Sequence, residues 1–200
     1  RGPDYTESKK IILKDKIINI GFSRLAIQDL NPDSNKIFYN DEAILLFNGE
    51  IYNQKALKEK YLNMISFQTS TDTEVLFNLL IKYGSKIINE IQGIFSIFFI
   101  NLKNNIIECI RDFTGTKPLY YYFHGKSFFF SSEAWFLYSL SERKINNQSL
   151  NFFLNFGFSP EEDTLIDGVK KVKPRNILKL DFKSLKTEKI NYFNIDKTKT

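Results

Sequence analysis

The sequence predicts an α+β domain of mainly antiparallel sheets with helices stacked outside them. Three observations carry that prediction. Strand-like apolar segments follow one another across short polar turns, at residues 95–100 and 105–111 and again at 118–123 and 127–131, and turns that short join antiparallel neighbours. Helical spacing comes in blocks and does not alternate one-for-one with strands, which argues against a doubly wound parallel sheet. A chain of 200 residues, 42% hydrophobic and 26% charged, can bury a core of its own.

Along the chain, residues 11–13 and 17–20 predict a short hairpin across Lys14-Asp15-Lys16. Residues 43–47 are apolar throughout, as in a strand covered on both faces. Asn53 is placed to cap a helix over residues 54–62. Thr71-Asp72-Thr73-Glu74 has capping-box spacing. Val75, Leu76, Leu79, Leu80 and Tyr83 follow at helical spacing, and Gly84 ends that helix. A short helix with Ile87, Ile88 and Ile91 on one side comes next. Beyond the two hairpins, the second turning at His124-Gly125, helices are predicted over 132–140 and over 149–156, the latter ended by Gly157. Strands over 177–181 and 187–193 close the fold. The segment after Asn194 is polar and has the character of a linker.

The net charge is +5, but the lysines are scattered, as on a solvated surface. A nucleic-acid-binding module would need aromatics interleaved with cations on one face, whereas Phe128-Phe129-Phe130 lies in an apolar strand. No apolar stretch reaches the roughly 20 residues of a membrane-spanning helix. Cys109 is the one cysteine and His124 the one histidine, so an intrachain disulfide is excluded and a zinc site is not expected. That usage fits a reducing cytoplasm. Cys109 sits mid-strand with no local base and reads as a packed thiol; His124 reads as a surface turn residue.

Four segments carry residues that burial alone does not explain. In Phe47-Asn48-Gly49-Glu50-Ile51-Tyr52-Asn53 an apolar strand runs into Asn-Gly. That dipeptide is a common turn, yet an amide side chain beside an open glycine N–H also makes a pair of donors suited to an oxyanion. Arg24, within 21–29, stands in an apolar stretch and needs a carboxylate: Asp29, another internal acid, or one on a substrate. Asp72 falls at a helix N-terminus, where the dipole alone would account for it. Residues 111–121, opening Arg111-Asp112 and continuing through Gly115 to Lys117-Pro118, form a tight loop between strands whose expected role is to hold their register.

Together these segments resemble class II glutamine amidotransferases, in the asparagine synthetase group. Arg1-Gly2-Pro3-Asp4 looks like the family's Arg-Gly-Pro-Asp, and Arg24-Leu25-Ala26-Ile27 with Asp29 like its Arg-Leu-Ser-Ile-x-Asp. The stretch from Asn48 to Asn53 matches its Asn-Gly-Glu-Ile-Tyr-Asn. Thr71-Asp72-Thr73-Glu74 resembles Ser-Asp-Thr-Glu, residues 111–121 follow Arg-Asp-x-x-Gly-x-Lys-Pro-Leu-Tyr-Tyr, and Ser132-Glu133 follows Ser-Glu. Phe156-Gly157, Thr164 and residues 168–174 resemble the end of the domain. The tail Glu50-Ile51-Tyr52-Asn53 separates this group from the phosphoribosyl-pyrophosphate and glucosamine-phosphate amidotransferases.

The resemblance implies an N-terminal-nucleophile hydrolase fold, a four-layer α/β/β/α sandwich over residues 1–194, with 195–200 opening a linker to a synthetase domain. It implies a glutaminase reaction that supplies ammonia for ATP-dependent asparagine synthesis from aspartate, catalysed by a cytoplasmic ligase. An N-terminal cysteine attacks the side-chain amide of L-glutamine, and its own α-amino group moves the proton. Asn48 and Gly49 hold the oxyanion. Arg24 takes the α-carboxylate, Glu50 and Asp72 take the α-ammonium, and Leu25, Ala26, Ile27 and Gln28 line the pocket. The domain needs no cofactor; ATP and magnesium belong to the synthetase domain, whose Ser-Gly-Gly-x-Asp-Ser loop does not occur in these residues. A homodimer is compatible with the family, and neither nucleic acid nor membrane is an expected partner.

Some positions depart from the pattern. The family's Cys-Gly-Ile opening is not among these residues, and the chain reads as truncated or processed. Phe22 stands where histidine is frequent, Ala26 replaces serine, and Thr116 replaces an aliphatic residue. The alternative is a degenerate domain without hydrolytic activity, as in β-lactam synthetases. Retention of Arg24, Asn48, Gly49, Glu50 and Asp72 argues against decay.

Overall fold

The computed structural model describes residues 4–13, 16–24 and 37–193, with the backbone alone at Arg24. Among the described residues the strands form three antiparallel sheets. The largest has six strands, in the order β11 (Thr187–Asn191), β10 (Asn176–Asp181), β6 (Ile106–Arg111), β5 (Gly93–Asn101), β4 (Ala43–Ile51) and β3 (Phe38–Tyr39). The second orders β8 (Ser127–Ser131), β7 (Tyr120–His124) and β9 (Lys170–Lys171). The third is the hairpin of β1 (Tyr5–Ile12) and β2 (Ile17–Arg24).

Alternation along the strands gives the large sheet two apolar faces. Ala43, Leu45 and Ile51 of β4, with Phe95, Ile97 and Phe99 of β5, face α1 (Gln54–Tyr61) and α2 (Asp72–Tyr83) and pack on Leu57, Val75, Leu76, Leu79 and Leu80. Ile44 of β4, Phe98 and Ile100 of β5, and Leu178 and Leu180 of β10 face the other way. There they meet Ile20 of β2, Tyr121 of β7 and the half-buried Phe128 and Phe130 of β8. The outer side of β7 and β8 packs Tyr122 on Leu137 of α3 (Ala134–Leu140) and on Val169. The order helix, sheet, sheet, helix is the expected four-layer sandwich.

Local signals decide most boundaries. Thr71 caps α2, its hydroxyl accepting from Glu74 N–H at 3.3 Å, and Gly84 ends the helix at φ 63°. The predicted short helix is a 3-10 helix, Gly84–Glu90. The hairpin turns fall at Asn105 and Gly125, both with positive φ. α4 (Asn147–Phe156) is capped by Asn146 and ends at Gly157 in the left-handed region. Its Leu154 and Phe156, like the following Phe158, are exposed.

The structure differs from the sequence reading at four places. The Asn48-Gly49 pair is not a turn, because β4 continues through it to Ile51. Asn53 precedes α1 but makes no cap; its side chain donates to Glu90 O and accepts from Gln92 N–H instead. The first hairpin is longer than its apolar residues suggest, because Glu7 and Lys9 occupy inward positions of β1. The short strands β3 and β9 carry too few residues to leave a periodic signal.

Candidate functional site

The site is built at the end of β4. Ile51 N–H, at the last residue of the strand, donates to Asp72 Oδ2 at 2.9 Å. Asp72 is free to reach across because Thr71 caps its helix and Glu74 turns back to accept from Gln68 N–H and Thr69 N–H. Asp72 is 6% exposed. Burial pushes its pKa up, the Ile51 N–H opposes that shift, and the nearby Glu50 charge pushes it up further. Glu50 and Asp72 thus share one place in the fold.

The β4–β5 ladder sets where Gly49 points. Gly49 lies opposite Phe95. Both main-chain groups of Phe95 are held on its other side by Asp112: Phe95 N–H donates to Asp112 Oδ2 at 3.1 Å, and Phe95 O accepts from Asp112 N–H at 2.9 Å. Gly49 and Phe95 are therefore a non-hydrogen-bonded pair, and the polar groups of Gly49 turn away from β5. They face the edge of β4 that β3 covers only at Ile44 and Leu45. Ile51 N–H, two residues on, points to the same edge and finds Asp72 there. No side chain fits at residue 49, since a Cβ would stand 2.1 Å from Ile94 O. Asn48 is exposed, and with Glu50 it lies on the face of β4 that carries Ile44 and Leu46, toward the second sheet layer.

Two contacts set the position of the β1–β2 hairpin over this face. Lys9 Nζ lies 3.0 Å from the centre of the Tyr39 ring, and Tyr39 pairs with Ile44. Glu7 accepts from Ile37 N–H at 3.0 Å, just before Phe38, which pairs with Leu45. Lys9 and Glu7 pair with Ile20 and Phe22. β2 therefore runs in the same sense as β4, and its last residue, Arg24, is carried toward the Asn48–Glu50 end. Leu25, Ala26, Ile27 and Gln28 lie outside the described residues.

Cys109 is fully buried in β6, and burial pushes its thiol pKa far up, with Glu108 adding to the shift. It is a packed residue, as its sequence position suggested. His124 is exposed at the end of β7. Among the described residues no group of three His, Cys, Asp or Glu side chains could hold a metal ion, and no helix is long and apolar enough to cross a membrane.

Comparison with known proteins places this geometry. The glutamine amidotransferase domain family matches residues 1–193. The chain belongs to that family. Within it, this amidotransferase domain is related to the asparagine synthetases. It is 33% identical to a putative glutamine-hydrolysing asparagine synthetase 2 of Methanocaldococcus jannaschii, over 98% of this chain and 41% of that protein. It is also 33% identical to the glutamine-hydrolysing asparagine synthetase 1 of Bacillus subtilis, over 87% of this chain and 27% of that protein. The amidotransferase domain thus spans less than half the length of these relatives. In fold it is similar to the solved glutamine phosphoribosylpyrophosphate amidotransferase of B. subtilis. The TM-score is 0.57 at 21% identity, over 88% of this chain and 35% of that one.

Sequence reasoning missed two residues of this region. Glu7, which ties the hairpin to Ile37, drew no reading from the sequence. Asp112, which fixes Phe95, was assigned to its own loop. Its position directly after the Arg111 strand end was the available signal.

Proposed function

We propose that this domain binds L-glutamine at the end of β4 and, in the whole protein, hydrolyses its side-chain amide to supply ammonia for ATP-dependent synthesis of asparagine from aspartate. The observation that carries the reading is the shared edge of β4, where Gly49 N–H and the Ile51–Asp72 bond point the same way. The two positions are about 7 Å apart along the strand, on the scale of one free amino acid. In this reading Glu50 and Asp72 receive the α-ammonium, and Arg24 forks onto the α-carboxylate. Leu25, Ala26, Ile27 and Gln28 line the pocket beside it. Gly49 N–H and the Asn48 side chain stabilise the tetrahedral oxyanion as it forms.

The nucleophile is a thiolate from outside these 200 residues. Cys109 does not serve, because it is enclosed in the core with its thiol held protonated. ATP, magnesium and the amide acceptor are handled by a synthetase domain of the whole protein. The test is ammonia release from L-glutamine by the whole protein and by residues 1–200 alone. Activity confined to the whole protein, with Arg24→Met raising the KM for glutamine at least tenfold, supports the reading. No glutamine-dependent ammonia from the whole protein, or a KM indifferent to Arg24, overturns it.

A further inference from the structure

The loop of residues 111–117 wraps a buried carboxylate in N–H and hydroxyl donors. Asp112 is 0% exposed. Its Oδ1 accepts from Thr114 N–H, the Thr114 hydroxyl and Thr116 N–H, each at 3.0 Å. Its Oδ2 accepts from Lys117 N–H at 3.0 Å and from Phe95 N–H at 3.1 Å. The main chain is used as fully: Asp112 N–H donates to Phe95 O, and its carbonyl accepts from Gly115 N–H and Arg175 N–H. Burial pushes the carboxyl pKa up, but the donors from Lys117, Thr116, Thr114 and Phe95 outweigh it and leave the acid below its ordinary value. The neighbouring Arg111 guanidinium acts on it through charge and spends its hydrogen bonds elsewhere. That group donates to the carbonyls of Lys117, Val172 and Gly115.

Four of these five donors fold the loop around the carboxylate. The fifth, Phe95 N–H, comes from the strand opposite Gly49 and serves no purpose within the loop. With Asp112 N–H on its carbonyl, Phe95 has both polar groups drawn away from β4. The geometry points to Asp112 as a positioning residue for the reaction: by holding Phe95 it keeps the Gly49 N–H turned outward, where an oxyanion can accept from it. This rests on Asn48 and Gly49 being the oxyanion donors. Released from Asp112, the Phe95 peptide can swing toward β4 and compete for the groups of Gly49. The disturbance stays local, because Tyr52 N–H donates to Gln92 O at 2.8 Å and Asp72 holds Ile51 independently. The residues that bind the ends of glutamine are therefore left in place.

The experiment is steady-state glutamine hydrolysis by the whole protein, with Asp112→Asn and Asn48→Ala measured side by side. An asparagine turns one end of the group into an NH2 facing N–H donors, so at least two of the five bonds are lost. The expected result is a kcat at least tenfold lower with the KM for glutamine within twofold. A role confined to folding moves Tm and the fraction of active protein and leaves the per-site kcat alone. That outcome, or a parallel change in kcat and KM, overturns the proposal. If Asn48→Ala keeps full turnover, the oxyanion reading fails and this proposal fails with it. If Asn48→Ala is slow and folded Asp112→Asn is not, the positioning proposal alone fails. Should Asp112→Asn not fold, Thr114→Val decides, since it removes one donor and keeps the branched shape. A threefold or larger loss of kcat at constant KM supports the proposal, and an unchanged kcat overturns it.

Discussion

Asp72 and Ile51 join the N-terminus of α2 to the end of β4 through one hydrogen bond of 2.9 Å, from the Ile51 amide to a buried carboxylate oxygen. The bond leaves Asp72 beside a second acid, Glu50, with its own pKa raised by burial and by that neighbour. A pair of this kind is poorly placed for stability and well placed to receive an ammonium group.

The cost of that arrangement is measurable. Because the folded state holds the Asp72 proton to higher pH than the unfolded chain, the stability it contributes is complete below the unfolded value of about 3.9 and falls as pH rises through the folded value. Asp72→Asn keeps an acceptor for Ile51 N–H and removes the charge. We expect the variant to match or exceed the wild-type Tm at pH 7 and to lack this loss above about pH 4. Its KM for glutamine should rise at least tenfold. Thermal melts across pH and initial-rate kinetics check the two halves.

In the proposed reaction Asn48 bears on turnover and not on folding. Its side chain is exposed at the strand end, so Asn48→Ala should leave Tm within a degree or two. The loss of one oxyanion donor lowers kcat by about a hundredfold or more. Ammonia release under saturating glutamine is the measurement, and an unchanged rate removes Asn48 from the mechanism.

Gly49 is required by space, apart from the role proposed for its N–H. A methyl group there would meet Ile94 O at 2.1 Å and Phe95 Cα at 2.7 Å, both of them backbone. Gly49→Ala must part β4 from β5, and overpacking of that kind costs about 3 kcal/mol. Chemical denaturation should show it as a lower midpoint at similar slope.

Cys109 should be silent in native protein. A thiol-specific reagent is expected to react only after unfolding, and Cys109→Ala should retain glutamine turnover by the whole protein within twofold. Rapid native labelling that abolishes activity would contradict the burial described for β6.

Much of this was legible in the sequence, for physical reasons that differ by element. α2 announced itself because cap, apolar stripe and stop signal agree. The hairpins of the central sheet did so because their strands are apolar and their turns polar. Strand β4 was read as ending at Phe47 because Asn-Gly is a turn in most settings; pairing with β5 carries it on to Ile51. Asn53 stands at a helix start, but bonds to Glu90 and Gln92 capture its side chain, a choice made by residues almost forty positions away. The convergence of Glu50 with Asp72 is likewise tertiary, and motif order suggested it where periodicity gave no sign.

Among the described residues the β1–β2 ribbon shares no ladder with either larger sheet. It is attached chiefly through apolar undersides, with Glu7 and Lys9 as its directional ties to residues 37 and 39. Apolar contact resists separation far more than it resists sliding. Amide hydrogens of the ribbon should therefore exchange sooner than those of β5, which is paired on both sides. In the proposed function the group that grips the substrate carboxylate is Arg24, the last residue of this ribbon, so saturation with glutamine is expected to slow exchange in β2 while leaving β5 unaltered.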